Sequence, residues 1–407
     1  MDSHENQQSL GGSGQVLQPS SSSSPSHQLP LEDRPVSSQS GALSPVPQAD
    51  SSDDDGFDEA YADSADEGGM LMGDDTKTLS TYITRYRYEN GRRYHSYRDG
   101  AYWVSATGPN DEVANDQQDL AHHMYLLTLD GKLHLAPISN PQEILDVGTG
   151  TGIWAIDMAD EYASAKVTGV DLSPTQPSFL PPNCTFEVDD VTLCPWTYPQ
   201  NHFDFIHVRE MFGCIPDWDE FFQQCFQCMK PGAYIEIVEH SVEPTSDDGT
   251  VGPKHFYTLW GKTVVEAGAA FGKSFTIWKE SKERLKRAGF VDVVEVEYKW
   301  PMNGFVCFLL PQGPGCLSYQ NRDSVANGWK FRWSRDPKLR ELGRWNQVRL
   351  HGGVEGYMLR LLTVSLQWPY EEAQVFLAQM RAALRDYKTN AYLPGTIVYA
   401  RKPTDES

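Results

Sequence analysis

Two hydrophobic periodicities alternate along residues 116–401 and predict a succession of strands and helices. Short apolar runs are followed by longer segments in which apolar positions recur every three or four residues. The predicted strands are 143–147, 166–171, 185–188, 203–208, 233–238, 291–299 and 396–401. The predicted helices are 116–129, 154–162, 218–229, 255–271, 278–288 and 371–387. Strands that alternate with helices at this spacing indicate an α/β fold, a doubly wound parallel sheet covered on both faces.

The first 76 residues have a different composition and are predicted to be disordered. Residues 1–50 are dominated by Ser, Pro, Gln and Gly, and they hold too little apolar surface to offset the entropy of ordering. Residues 1–76 carry fifteen acidic side chains and one basic side chain, in a chain whose net charge is −22. The acidic run 51–75 is either a solvating tail or an interaction segment that folds against a basic partner.

Aromatic and basic residues crowd the next region, 77–140, which is predicted to form a cap on the folded domain. Seven aromatic side chains between Tyr82 and Trp103 are interleaved with five arginines. Such a mixture can bind nucleic acid locally, but a cap in which Tyr and Arg line the mouth of a ligand pocket fits the pattern better.

Composition excludes several classes of protein. The longest apolar run, 305–310, is far shorter than the roughly 20 residues that cross a bilayer, and no secretory signal opens the chain. Seven cysteines, an odd number spread along the chain, indicate a reducing compartment. Outside its tail the chain is mildly acidic, so direct binding to nucleic acid is not expected. We expect a cytoplasmic or nuclear protein, neither secreted nor embedded in a membrane.

The strongest chemical signal follows the first predicted strand, where the sequence reads Leu-Asp-Val-Gly-Thr-Gly-Thr-Gly over 145–152. Glycines here let the backbone turn tightly against a ligand, and the following helix N-terminus offers free N–H groups. The dinucleotide pattern Gly-x-Gly-x-x-Gly fails when counted from Gly148, because Ile153 stands at its last position. Its alanine variant fits Gly150, Gly152 and Ala155, so a nicotinamide site is weakened but stays open.

Acidic residues follow the next two predicted strands. Asp171 ends the second strand, where a carboxylate of this fold class accepts hydrogen bonds from ribose hydroxyls. Asp189 and Asp190 follow the third strand, where an acidic side chain can meet the exocyclic amine of adenine. Each of the three alone is also typical of a loop or a helix cap. Their order predicts a nucleoside site at the carboxyl ends of the strands.

Further motifs accompany these residues, at 144–157, 169–173, 176–177, 181–184, 203–207, 230–232 and 94–98. Together they resemble fungal methyltransferases related to the secondary-metabolism regulator of the velvet complex. The resemblance covers about 81–304 and 333–403. It implies a class I S-adenosylmethionine-dependent methyltransferase, with a Rossmann-like sheet of seven strands whose last strand is antiparallel.

The resemblance also implies which residues bind the cofactor. Asp146 and the glycines hold the methionine portion, Asp171 the ribose, and Asp190, with Asp189 beside it, the adenine. The full set is Asp146, Gly148, Thr149, Gly150, Gly152, Asp171, Leu172, Asp189 and Asp190. No metal site is predicted, because Cys225 and Cys228 lie within a helix without a second pair of ligands nearby.

These patterns divide the chain into five parts. The tail 1–76 and the cap 77–140 precede a cofactor-binding core, 141–242. A helical insertion, 243–290, is expected to cover the acceptor site, and 291–407 completes the sheet. The family pattern would run from Gly304 directly to Trp333, so 305–332 is interpreted as an extra segment or a translated intron.

The implied cofactor determines the type of reaction: its sulfonium methyl group is transferred in a single in-line displacement. The protein mostly positions the reactants and excludes water, and a base is needed only if the acceptor must lose a proton. His207, at the end of the fourth strand, is a hypothetical base, and a hydrogen-bonded structural histidine is the alternative. Arg209 and Glu210, together with Tyr97 and Tyr102, are assigned to the acceptor pocket.

The sequence alone is compatible with three functions. The first is methyl transfer to a small molecule or a protein in fungal secondary metabolism or its regulation. The second is a cofactor-binding regulatory subunit, which could join a complex through its acidic tail. The third is a nicotinamide-dependent oxidoreductase.

Overall fold

The structure is a computed structural model that describes residues 86–89, 92–95, 111–304 and 336–404. All of these residues belong to one compact unit, Leu71–Ser407. The predictions for 1–76, Tyr97, Tyr102 and 305–332 lie outside the described residues. The first described element is an antiparallel hairpin of β1 (Tyr86–Glu89) and β2 (Arg92–His95).

A seven-stranded sheet forms the centre of the described fold, in the spatial order β5-β4-β3-β6-β7-β9-β8. Its strands pair in parallel except β9, which runs antiparallel to both of its neighbours. This confirms the predicted Rossmann-like sheet with a reversed last strand. The strands are β3 (Glu143–Val147), β4 (Lys166–Asp171), β5 (Cys184–Val188), β6 (Phe203–Arg209), β7 (Met229–His240), β8 (Val291–Pro301) and β9 (Tyr392–Arg401).

Helices connect and cover these strands. They are α1 (Glu112–Thr128), α2 (Ile153–Glu161), α3 (Trp218–Cys228), α4 (Phe256–Ala270), α5 (Ile277–Arg287), α6 (Pro337–Arg360) and α7 (Tyr370–Ala383). A π-helical turn, Leu361–Ser365, follows α6. No helix among the described residues combines the length and apolar character that a membrane crossing requires.

The sequence explains where several helices begin and which face they bury. The side chain of Asp111 accepts the backbone N–H of Ala114 at the start of α1, and Arg92 of the hairpin donates to the same carboxylate. On α3, Cys225 and Cys228 are buried with free thiols. Burial raises the pKa of the Cys225 thiol well above its usual range. Both cysteines therefore act as packing residues.

The two helices of 243–290 have different surroundings. Helix α5 packs against β7, β8 and β9, so it covers the sheet itself. Helix α4 packs against α7, where the rings of Trp260 and Phe376 stack at 5.5 Å. The polypeptide of 243–290 is thus divided between the sheet and an outer helical layer.

The residues on the two sides of 305–335 pack against each other. A Cβ added at Gly304 would lie 2.7 Å from the backbone oxygen of Arg340, and one at Gly343 would lie 2.2 Å from the backbone oxygen of Asn303. Such contacts are possible only because both residues are glycines. The amide of Asn346 also donates to the backbone oxygen of Pro301 at 3.0 Å. The end of β8 and the first turns of α6 therefore pack directly on each other.

This packing generates a prediction about the extra segment. We expect a chain lacking 305–332, with Gly304 joined to Trp333, to keep the fold, because the two ends already lie close together. Its free energy of unfolding in urea should be higher than that of the full chain by up to about 2 kcal/mol, because shortening the connection from 31 residues to 3 lowers the entropic cost of closing it by about 0.6 kcal/mol per halving. Loss of cooperative unfolding in the deletion variant would show that 305–332 is an integral part of the domain.

Candidate active site

A tight loop links β3 to α2 and forms one wall of a large cavity. In this glycine loop, Gly148–Gly152, the φ angles of Gly148 and Gly152 are +71° and +82°, which side-chain-bearing residues rarely adopt. A Cβ at Gly148 would lie 2.2 Å from the sulfur of Met211, and one at Gly152 would lie 2.3 Å from the ring of Phe186. The pattern of glycines is therefore required by both backbone conformation and packing.

Asp146 holds this loop from inside the sheet. Its carboxylate accepts a 2.6 Å hydrogen bond from the hydroxyl of Thr149 and lies 2.8 Å from Nδ1 of His207. The imidazole stacks on Trp154 at 3.7 Å and is 1% exposed. Burial lowers the pKa of His207 to about 4, so the ring is neutral at neutral pH.

These contacts favour a structural role for His207 over the hypothesis that it is a catalytic base. In the part of the chain that the structure describes, neither His207 nor Asp146 lines the large cavity. Both side chains stand behind the loop that does line it. We therefore assign His207 a supporting role, which matches the structural alternative weighed from the sequence.

The carboxylate of Asp171 lies at the end of β4 and lines the cavity. Its two oxygens accept the backbone N–H groups of Gly150 and Ser173, each at 2.9 Å. Burial raises the pKa of Asp171 to about 6, and the nearby negative charge of Asp146 contributes to the increase. Leu172, the next residue, lines the same cavity.

Of the two acidic residues after β5, the structure places only Asp189 on the described lining of the cavity. Asp190 is 3% exposed, and its carboxylate accepts hydrogen bonds from the backbone and the hydroxyl of Thr192, at 3.0 and 2.6 Å. The side chain of Asp190 thus stabilises the following turn. The geometry favours Asp189 as the carboxylate that faces a bound nucleoside, with Asp190 supporting its loop.

Arg209 and Glu210 lie where β6 ends and line the cavity beside the glycine loop. Both oxygens of Glu210 accept from Nη2 of Arg349, at 3.0 and 2.9 Å, and Tyr125 donates to one of them at 3.2 Å. Burial alone would raise the pKa of Glu210, but Arg349 holds it well below its usual range. Arg209 lies over the ring of Tyr125, with its Nη1 3.2 Å from Nδ1 of His122.

Two further buried acidic side chains accept hydrogen bonds from loop backbone and do not line the cavity. Glu239 of β7 accepts the backbone N–H groups of Met211 and Phe212, at 2.8 and 3.3 Å. Glu236, on the same strand, accepts from Leu135 and Ala136 at 2.8 and 2.6 Å. Burial raises the pKa of Glu236 to about 7 and that of Glu239 well above its usual range.

The opposite wall of the cavity comes from α1 and α6, which pack along each other. Helix α1 contributes Gln117 and Gln118, and α6 contributes Gly353, Gly356 and Tyr357. None of 243–290 lines the cavity in the described part of the chain, so the structure does not place that insertion over this site. Sequence reasoning missed α6 because it carries glycines and the buried polar residues Asn346 and Arg349 in place of a continuous apolar stripe.

The whole cavity encloses about 1340 Å³, including its open mouth. Because that volume includes the solvent space at the mouth, the lining residues rather than the volume define the site. Among the described residues, no cluster of His, Cys, Asp or Glu is arranged to hold a metal ion.

Comparisons with known proteins identify the family. A protein-family model described as a methyltransferase domain matches residues 120–296. Methyltransferase pytC of Aspergillus terreus is 33% identical over 80% of this chain and 91% of that protein. Secondary metabolism regulator LAE1 of Cochliobolus heterostrophus is 33% identical over 77% of this chain and 94% of that protein. Protein-methionine methyltransferase laeA of Emericella nidulans is 28% identical over 78% of this chain and 77% of that protein.

The chain belongs to this family of fungal methyltransferases. The methyltransferase takes its methyl group from S-adenosylmethionine, and the cavity fits that cofactor. A Cβ at Gly148 or Gly150 would lie 2.2 Å from the side chain of Met211 or Gln118, so the glycines let these cavity-lining side chains approach the loop. Asp171 places a carboxylate on the cavity lining at the end of β4, the position at which doubly wound folds bind ribose hydroxyls. The nicotinamide interpretation of Gly150, Gly152 and Ala155 is not supported.

The supporting role of His207 can be tested by substitution. We expect His207→Phe to keep the stack on Trp154 but to lower the free energy of unfolding by about 1–3 kcal/mol, because Asp146 loses a buried hydrogen-bond partner. Urea denaturation measures the change. The control is His202→Phe, since His202 is partly exposed and 3.4 Å from Glu143. It should change stability by less than about 0.5 kcal/mol. Equal effects of the two substitutions would contradict the assignment.

The raised pKa of Asp171 predicts that cofactor affinity depends on pH. Ribose hydroxyls donate to the ionised carboxylate, so affinity for S-adenosylhomocysteine should fall as pH drops through about 6. The stability of the unliganded protein should change in the opposite direction and be higher at low pH. In the unfolded chain this carboxyl has its ordinary pKa of 3.8, so between the two values only the folded state holds the proton. The resulting contribution to stability is lost as pH rises through about 6.

Calorimetric titrations between about pH 5 and pH 8 measure the affinity. Asp171→Asn should remove most of the dependence of affinity on pH. Any dependence that remains in this variant comes from other buried groups that titrate in the same range. An unchanged slope in that variant would show that a different group controls the affinity.

Proposed function

We propose that the methyltransferase transfers the methyl group to an acceptor held between α1 and α6, in one in-line displacement that serves fungal secondary metabolism. The observation that carries the proposal is the continuity of the cavity. Its lining includes the glycine loop and Asp171 on one side and Tyr357 on the other. Donor and acceptor can therefore meet in one chamber.

The proposed binding residues divide by their place on this lining. Gly148, Thr149 and Gly150, with Arg209 beside them, would hold the methionine portion. Asp171 and Leu172 would hold the ribose, and Asp189 the adenine. When bound, S-adenosylmethionine supplies an electrophilic methyl group. The chain contributes rigid positioning, through Asp146 and Glu239 behind the loops, and walls that exclude water.

The acceptor end of the chamber is assigned to Tyr357, Gln117 and the glycines of α6. A Cβ added at Gly353 would lie 2.5 Å from the ring of Tyr357, so this glycine lets that ring pack against the helix. Tyr97 and Tyr102 stay predicted members of this end. The acceptor is a small molecule or a protein side chain, and the relative named as a protein-methionine methyltransferase points to the second kind. A thioether acceptor has no proton to lose, so its methylation needs no base.

A regulatory role is proposed for the same protein because one relative at 33% identity is named as a secondary metabolism regulator. The acidic segment 51–75 offers a contact for a basic partner within a complex. We place this activity in the cytoplasm or the nucleus.

Transfer of a labelled methyl group tests the proposal. Incubation with methyl-labelled S-adenosylmethionine and native extract should label one acceptor, and Gly152→Val should abolish the labelling, since its Cβ would lie 2.3 Å from Phe186. The control is Gly252→Val, where nothing lies within 4 Å of an added Cβ. Binding of the cofactor should also raise the melting temperature of the wild-type protein, whereas NAD should not.

The outcomes separate the alternatives. Cofactor binding without labelling of any acceptor would favour the regulatory subunit over the enzyme. A melting temperature raised by NAD and unchanged by S-adenosylmethionine would overturn the assignment of the site.

A further inference from the structure

We propose that Glu210 is the residue by which the methyltransferase distinguishes the positively charged sulfur of S-adenosylmethionine from the neutral sulfur of its demethylated product. This inference rests on the proposed position of the cofactor along the glycine loop. It moves Glu210 from the acceptor, where the sequence placed it, to the donor.

The sheet register places Glu210 next to the loop. Strands β3 and β6 are parallel neighbours, with Val147 paired to Val208. The glycine loop and Glu210 therefore leave the sheet side by side, at the same edge. Met211, the next residue, has its sulfur against Gly148. A ligand whose central atom lies at this junction is within reach of Glu210.

The backbone and the partners of Glu210 fix its carboxylate. Its φ angle is +53°, a left-handed conformation that is uncommon for a residue with a side chain. Its backbone N–H donates to the oxygen of Val238 at 3.1 Å. Arg349 and Tyr125 hold the carboxylate from behind. Uncommon backbone conformations of this kind are concentrated at functional sites.

The arrangement of charges is asymmetric. The side chain of Arg349 is 4% exposed and that of Glu210 is 21% exposed. In the described lining, Glu210 faces the cavity and Arg349 does not. The negative charge is therefore presented to the ligand, while its positive partner lies deeper in the protein. Arg349 also keeps Glu210 ionised throughout the neutral range, because it holds the pKa of that carboxyl well below its usual value.

The neighbouring charged groups have other tasks. Both oxygens of Asp171 are engaged by backbone N–H groups at the ribose position. Arg209 is positively charged and held against Tyr125, so it suits the carboxylate of the methionine portion. His240 lies 3.3 Å from Glu210 on the side of β7. Glu210 is thus the carboxylate that lines the cavity on the β6 side of the glycine loop. Arg349 engages both of its oxygens, and its 21% exposed side chain is the surface that a cation can approach.

The two forms of the cofactor differ by one unit of charge on sulfur and share every other charged group. A charge interaction that acts on the sulfonium should therefore strengthen the binding of S-adenosylmethionine alone. A residue that acts only through shape or hydrogen bonds to the ribose should affect both forms equally. The ratio of the two dissociation constants separates these cases.

The experiment measures that ratio by calorimetry at neutral pH for the wild-type protein and two variants. We expect the wild-type protein to bind S-adenosylmethionine more tightly than S-adenosylhomocysteine. Glu210→Gln should weaken S-adenosylmethionine by at least about tenfold and S-adenosylhomocysteine by less than about threefold. Asp171→Asn, the matched control at the ribose, should weaken both compounds by a similar factor.

A second variant separates loss of binding from loss of folding. Glu210→Gln leaves Arg349 buried without its carboxylate, which destabilises proteins strongly, whereas removal of both charges is often tolerated. The double variant Glu210→Gln/Arg349→Met should therefore fold and show the same loss of discrimination.

The outcomes are distinct from those that test the function. Wild-type protein that binds the two compounds equally would overturn the inference. So would a Glu210→Gln variant, single or double, that retains the wild-type ratio. Failure of the wild-type protein to bind either compound would instead contradict the proposed cofactor site.

Discussion

The carboxylate of Asp146 holds the glycine loop in place from within the sheet, and the cofactor side of the cavity depends on it. Through Thr149 it fixes the centre of the loop, and through His207 and Trp154 it is tied to the packed core. Left-handed glycines are conformationally free in the unfolded chain, so their ordered arrangement needs such an anchor. The same carboxylate contributes to the raised pKa of Asp171 across the loop, which links the rigidity of the site to its electrostatics.

Other buried carboxylates repeat this arrangement at the ends of neighbouring strands. Glu236 and Glu239 of β7 accept the backbone N–H groups of two separate loops, and Glu210 accepts the guanidinium of α6. A buried polar group is costly unless it is hydrogen-bonded, so Glu239 and Glu210 fix the segment that follows β6 and lines the cavity. The segment that carries Glu210 and Met211 is thereby fixed at the carboxyl end of β6, beside the cavity.

The sequence predicted the sheet well, because its strands are recorded in local patterns. Apolar runs such as 143–147 coincide with observed strands, and the spacing from Gly148 to Asp171 follows from one strand–helix–strand unit. The acceptor side was not predictable in the same way. Helix α6 buries Asn346 and Arg349 at its contacts, so its pattern lacks the usual apolar stripe. The distinction between Asp189 and Asp190, and the burial of His207, depend on three-dimensional packing that no local pattern contains.

Part of the wall that faces the glycine loop belongs to α6, in the connection between the edge strand β8 and its neighbour β9, and not to the sheet itself. Amino-acid replacements in α6 can therefore reshape the chamber for a different nucleophile while the machinery for the methyl donor stays untouched. This separation gives natural selection an inexpensive route to new methylation chemistry, since duplicated copies of such a gene can diverge in one helix and inherit the rest.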